Sequence, residues 1–202
     1  SLFGVEDYNG QILDIKRTFA PHPWIAVAFV RFLFAGLTMA TIVANFFVVD
    51  YPPEFFFAWF TNLSTIPALA YLVASFVATV QLGCRRQNTR PGDFPSSVRF
   101  AWGLFSLSVP AQLLATVLFW TIVYTPSRDL GYLDLFKHGI LAAILMFDGL
   151  VVSYIPVRFH HFWFPLLFGT LYMVWNVIHS FTGIGNPSKH DNDPETDDDA
   201  IY

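Results

Sequence analysis

Long apolar runs separated by short polar connections organise this chain. Phe32–Val49 carries no Asp, Glu, Lys or Arg, and neither do Phe55–Cys84, Phe100–Ser127 and Phe159–Ser188. A helix needs about 20 mostly apolar residues to cross a hydrocarbon core. A further stretch, Leu130–Ile155, is apolar but interrupted by Asp134, Lys137, His138 and Asp148. The pattern predicts five transmembrane helices over about residues 25–49, 55–82, 98–125, 131–155 and 160–183. Turn signals fall between them: Asp50-Tyr-Pro-Pro, Arg90-Pro-Gly-Asp, Tyr154-Ile-Pro and Gly183-Ile-Gly-Asn-Pro. Strands of a membrane barrel would alternate over about ten residues, and no such alternation occurs. The expected fold class is therefore an all-α integral membrane protein, a bundle of five transmembrane helices.

The bundle occupies about residues 24–185, between a polar N-terminal segment (1–23) and an acidic tail (186–202). Only 13% of residues are charged, against about 25% in soluble domains. The tail alone holds six acids and one lysine, so the net charge of −4 describes the tail and not the bundle. This composition excludes a disordered chain and a nucleic-acid binder, and the single cysteine, Cys84, cannot form an internal disulfide. Lys and Arg in short loops set orientation. One side would carry Lys16, Arg17, Arg31, Arg85, Arg86, Arg90, Arg99 and Arg158, the other Arg128, Lys137 and Lys189. That bias predicts a cytosolic N-terminus, with the acidic tail on the opposite side. The organelle is left open.

Ionisable groups at membrane depth are costly and mark candidate sites. On helix 4, Asp134, His138 and Asp148 share one face at about 100° per residue. Asp134 stands four residues before His138, close enough to accept an imidazole N–H. Asp148 fits a buried acid satisfied by a partner better than a working group, whereas His138 fits either role. Helix 2 opens with Trp59-Phe60-Thr61-Asn62-Leu63-Ser64-Thr65. Such hydroxyls usually bond the carbonyl a turn earlier. Thr61 and His138 nevertheless lie at matched depths, roughly 10 and 12 Å from the same membrane face. A hydroxyl and an imidazole so placed suit a nucleophile and its base. On helix 5, Asn176 and His179 face the same way and would line the mouth of the same cavity, while Trp175 reads as an interfacial anchor. His160 and His161 read as a cap on the cytosolic rim. No metal-ligand spacing, P-loop or Gly-x-Ser-x-Gly elbow is present.

Trp59-Phe60-Thr61-Asn62 resembles the Tyr-Leu-Thr-Asn-type motif on helix 2 of the rolling stone-like proteins. Lys137-His138 with Asp148 ten residues after the histidine, then Ile155-Pro-Val-Arg158 and Trp175…His179…Thr182-Gly183, resembles the same proteins over about residues 55–187. These belong with the androgen-induced, FAR-17a-type membrane hydrolases. The resemblance implies a multi-pass enzyme that cleaves fatty acid esters of hydroxy fatty acids with an intramembrane threonine and histidine, here Thr61 and His138. Two features depart from it. The family usually has six spans, whereas this sequence stops at Asp199-Ala-Ile-Tyr202 where a sixth is expected, so either the sequence is cut short or a helix has been lost. Asp148 stands where the hydrolases tend to carry Glu.

Two functions follow as expectations. In a lipid-ester hydrolase, Thr61 attacks the acyl carbon, His138 takes its proton, Asp134 or Asp148 orients the ring, and Asn62 or Ser64 donates to the oxyanion. That reading needs no cofactor, and membrane lipids are its partners. The alternative is a non-enzymatic subunit that packs against other membrane proteins and holds lipid or pigment, using the surface of 23 phenylalanines and six tryptophans. A transporter is the weakest reading, because no repeat or pair of broken helices is visible.

Overall fold

The computed structural model describes residues 18–48, 53–84, 95–126 and 129–181. The acidic tail, the Arg85–Arg90 loop and Thr182-Gly183 lie outside the described residues. Five helices make up the bundle: α1 (Trp24–Val48), α2 (Phe60–Cys84), α3 (Ser96–Val123), α4 (Tyr132–Val152) and α5 (Trp163–Ser180). Among the described residues there is no strand, so the all-α expectation holds. The first four helices are each long and apolar enough to cross a membrane. The fifth, Trp163–Ser180, is not among them: it is 18 residues long, but Pro165, Tyr172, Asn176 and His179 lower its hydropathy, and it starts after a 3-10 turn over Phe159–Phe162.

Helices α2 and α3 form the centre. α2 packs against α1, α3 and α4, and α3 against α2, α4 and α5. Each central helix holds an internal proline, Pro67 in α2 and Pro110 in α3. A proline removes one intrahelical donor, which neighbouring helices make tolerable inside a membrane. Tyr71, Leu72, Trp102, Phe105, Phe136, Leu141 and Leu145 fill the core. A smaller apolar cluster, Phe60, Ala111, Ala115 and Tyr172, joins α2 and α3 to α5.

α4 is not a uniform α-helix. Its backbone widens into π turns at Phe136–Ile140 and Phe147–Val152, and α3 ends in a third at Phe119–Val123. Such turns shift the register of the side chains and often mark functional positions. His138 sits in the first of them with φ −108° and ψ 19°, outside helical values. α4 then closes at Tyr154, whose φ of 50° is left-handed, and the Ile155 amide bonds back to the Gly149 carbonyl at 2.8 Å. Gly149 is required by close packing: a Cβ there would lie 1.8 Å from the Phe105 ring.

Arg31 corrects the basic-residue count above. It does not belong to a cytosolic loop; it lies inside α1, 0% exposed, in the bundle core. The reason is electrostatic. A guanidinium inside an apolar helix needs a counter-charge, and Asp148 supplies it.

Candidate functional site

Two polar clusters join the helices, one at each end of the bundle. The first surrounds Arg31. Its Nε donates to Asp148 Oδ1 at 2.8 Å, and its other nitrogens reach the Phe19 carbonyl at 2.8 Å, Thr79 Oγ1 and Ser153 Oγ. Tyr71 donates to Asp148 Oδ2 at 2.6 Å. Both carboxylate oxygens therefore have strong donors, and α1, α2, α4 and the segment before α1 meet on one ion pair. Asp148 was a candidate for orienting His138. It is ten residues away along α4, about 15 Å, and its carboxylate is spent on joining helices.

The second cluster lies where α2 begins. The Lys137 ammonium donates to Asn45 Oδ1 of α1 at 2.9 Å and to Asn62 Oδ1 of α2 at 3.1 Å. Thr41 and Tyr132 hydroxyls, 3.2 Å apart, tie α1 to α4 nearby. Asn62 Nδ2 donates to the Phe56 carbonyl at 3.2 Å. The next two carbonyls of that 3-10 turn are held from α5: Trp175 Nε1 donates to Phe57 at 2.8 Å and Tyr172 donates to Ala58 at 3.0 Å. Trp175 thus uses its indole N–H on the turn that leads into α2, a more specific task than interfacial anchoring.

His138 is 7% exposed, and its ring stacks on Phe119 with centroids 3.7 Å apart and planes 5° from parallel. Stacking engages the face of the imidazole and leaves the nitrogens at the edge. The π turn frees a backbone carbonyl from the regular ladder, and Trp120 Nε1 donates to the His138 carbonyl at 2.6 Å.

Thr61 heads a stripe of α2 residues at three- and four-residue steps: Thr61, Thr65, Ala68, Leu72, Ser75 and Thr79. All but Thr61 are buried, so Thr61 is the half-buried end of an inward face. Its neighbour Asn62 touches Lys137, the neighbour of His138. The structure thus brings the Thr61 and His138 segments together. Among the described residues, no hydrogen bond joins the Thr61 hydroxyl to His138.

The expected oxyanion donors are committed elsewhere. The Ser64 hydroxyl lies 2.8 Å from both the Thr61 carbonyl and Gln112 Oε1, and Asn62 donates to Phe56. Asp134 is half-buried in the first turn of α4. On α5, Asn176 is half-buried and His179 fully buried beside Trp175, ring centroids 6.0 Å apart. His161 is buried rather than capping a rim: the Ser106 hydroxyl lies 2.9 Å from its Nδ1, and Trp102 packs edge-on against it. A groove of about 490 Å³ runs along α2 and the start of α3 between Ile66, Val73, Val77 and Phe100, and takes in neither Thr61 nor His138. Among the described residues, no group of three His, Cys, Asp or Glu is placed to hold a metal.

Reasoning from sequence missed Arg31 as a buried partner and Lys137 as a bridge. The signal for Arg31 was available: it interrupts an apolar helix several residues from its start. Four long apolar helices tied together by internal polar clusters define a multi-pass membrane protein. No family model, curated protein or solved structure matches the chain.

Proposed function

We propose that the protein is an intramembrane lipid-ester hydrolase with Thr61 as nucleophile and His138 as base. The observation that carries this reading is the 3.1 Å bond from Lys137 to Asn62, which ties together the two residues adjacent to the proposed pair. The resemblance to the rolling stone-like and FAR-17a-type proteins rests on the same positions. His138 Nδ1 or Nε2 takes the Thr61 proton as Oγ1 bonds to the acyl carbon of an ester. The alcohol then leaves with that proton, and Thr61 carries the acyl group. Water attacks next, giving one proton to His138, and the fatty acid departs as the proton returns to Thr61 Oγ1. Asp134, one turn before His138, is the acid that orients the ring. Asn176 and His179 line the α5 side, and ester substrates enter from the lipid.

The reading places the N-terminus on the cytosolic side. Of the eight basic residues assigned to that side, Arg31 is buried, and seven remain. The bias keeps its sign.

A fluorophosphonate probe applied to membranes holding the full chain tests the chemistry. Labelling is expected in the wild type, absent in Thr61→Ala, strongly reduced in His138→Gln and retained in Thr61→Ser. Labelling that persists in Thr61→Ala overturns the assignment of the nucleophile. The competing reading is a non-enzymatic membrane subunit holding lipid or pigment. One observation favours it: α5 buries only Tyr172 and His179 and leaves a broad apolar face open. Purification as a larger assembly from which no variant loses labelling would favour that subunit.

A further inference from the structure

We propose that Lys137 is a positioning residue, a three-helix clamp that sets Thr61 against His138; this rests on the hydrolase reading. Four observations lead to it. The ammonium of Lys137 reaches amide oxygens on two other helices, Asn45 Oδ1 at 2.9 Å and Asn62 Oδ1 at 3.1 Å. Lys137 and His138 are consecutive in a π turn, where His138 departs from helical backbone angles. Thr61 and Asn62 are consecutive in the first turn of α2. Finally, with its oxygen turned to Lys137, Asn62 presents its amino group to the Phe56 carbonyl and so fixes the 3-10 turn that enters α2.

The physical argument is one of register. A π turn holds one residue more than an α turn, so the azimuth of His138 about α4 departs from the regular helical register and has to be matched to α2 by contacts between helices. Phe119 and Trp120 fix it from α3, through the stacked ring and the bond to the His138 carbonyl. Nothing in that contact refers to α2. Lys137 supplies a reference to α2 through Asn62, and hydrogen bonds from a cation to amide oxygens are stronger than neutral ones and stronger again away from water. The clamp acts through Asn62, and Lys137 itself forms no bond to the ester.

The experiment has two arms in the full-length chain. In the first, Thr61→Cys and His138→Cys are placed in a Cys84→Ser background, and the rate of bridging by a short bismaleimide is measured in membranes. This arm needs no catalysis. With Lys137 intact, bridging is expected; Lys137→Met should slow it about tenfold, and Lys137→Arg should recover most of the rate, since a guanidinium also donates to two amide oxygens. Absent bridging with Lys137 intact, or a rate unchanged by Lys137→Met, overturns the clamp. If Lys137→Met does not accumulate as folded protein, Asn45→Leu releases one of the two holds, and an unchanged rate there overturns it equally.

In the second arm, fluorophosphonate labelling of Thr61 is followed in the otherwise wild-type chain. Lys137→Met and Asn62→Leu should each slow labelling, and the double variant should be no slower than the worse single one, because one acts through the other. Additive losses overturn the coupling. Absence of labelling in the wild type removes the hydrolase reading, while bridging still decides the clamp.

Discussion

Arg31 of α1 and Asp148 of α4 meet at 2.8 Å in the core, both essentially without solvent exposure. A buried ion pair contributes little net stability compared with apolar residues of the same volume, yet removing one partner strands a charge. Asp148→Asn or Arg31→Met is therefore expected to destabilise the protein by about 3–5 kcal/mol. The double variant Arg31→Met/Asp148→Leu should recover much of that loss. Thermal unfolding in detergent, followed by size exclusion, checks both. Equal effects of the single and double variants would contradict the pairing.

Gly149 sits beside Asp148 and packs against the Phe105 ring of α3. A methyl group there would overlap the Phe105 ring, 1.8 Å from the nearest ring atom, so the ring or a helix must shift to admit it. Gly149→Ala is expected to cost about 1–3 kcal/mol by overpacking. Phe105→Leu in the same chain should relieve part of it. A double-mutant cycle on the unfolding midpoint reads the coupling, and purely additive costs would mean that the helices separate more easily than their packing implies.

The helices were legible because a membrane demands long apolar runs: five were expected, all five are helical, and four are long and apolar enough to cross a membrane. What was not legible was pairing across helices. Arg31 reads as one of several basic residues near a membrane face until Asp148 is seen 2.8 Å away. Lys137 likewise reads as a basic residue on the side opposite the N-terminus, since spacing along α4 says nothing about Asn45 and Asn62 on other helices. The π turns were hidden for a related reason: they change side-chain azimuth without changing composition. His138 and Asp148 were expected on one face of α4, and both are buried. Their different surroundings, Phe119 for one and Arg31 with Tyr71 for the other, were not.

Tyr154, two residues past the end of α4, has φ 50° while its side chain is 70% exposed. The left-handed region costs an L-residue roughly 1–2 kcal/mol, and glycine avoids that cost. Little packing is lost by deleting so exposed a ring. Tyr154→Gly is expected to leave stability unchanged or raise it by up to about 1 kcal/mol. A clear loss of thermal stability would show that the ring is held by a contact outside the protein, such as the membrane interface, where tyrosine is favoured. Repeating the measurement in lipid and in detergent separates the two.

The three carbonyls Phe56, Phe57 and Ala58 accept hydrogen bonds from Asn62, Trp175 and Tyr172 in turn. Two of these donors come from α5, the helix with the fewest buried residues among the five. The 3-10 turn is therefore the main polar attachment of α5 to the start of α2. Tyr172→Phe removes one donor without changing the ring that packs edge-on against Phe60 at 5.0 Å. The buried Ala58 carbonyl is then left unsatisfied, at a cost of about 1–3 kcal/mol. Trp175→Phe removes a second donor at a more exposed position, where water can replace it, so its cost should be smaller. Hydrogen exchange by mass spectrometry gives the readout: Tyr172→Phe should raise exchange in peptides from the 53–64 region and from α5 together. Faster exchange in α5 alone would mean that the helix is held by apolar contacts, with the turn independent of it.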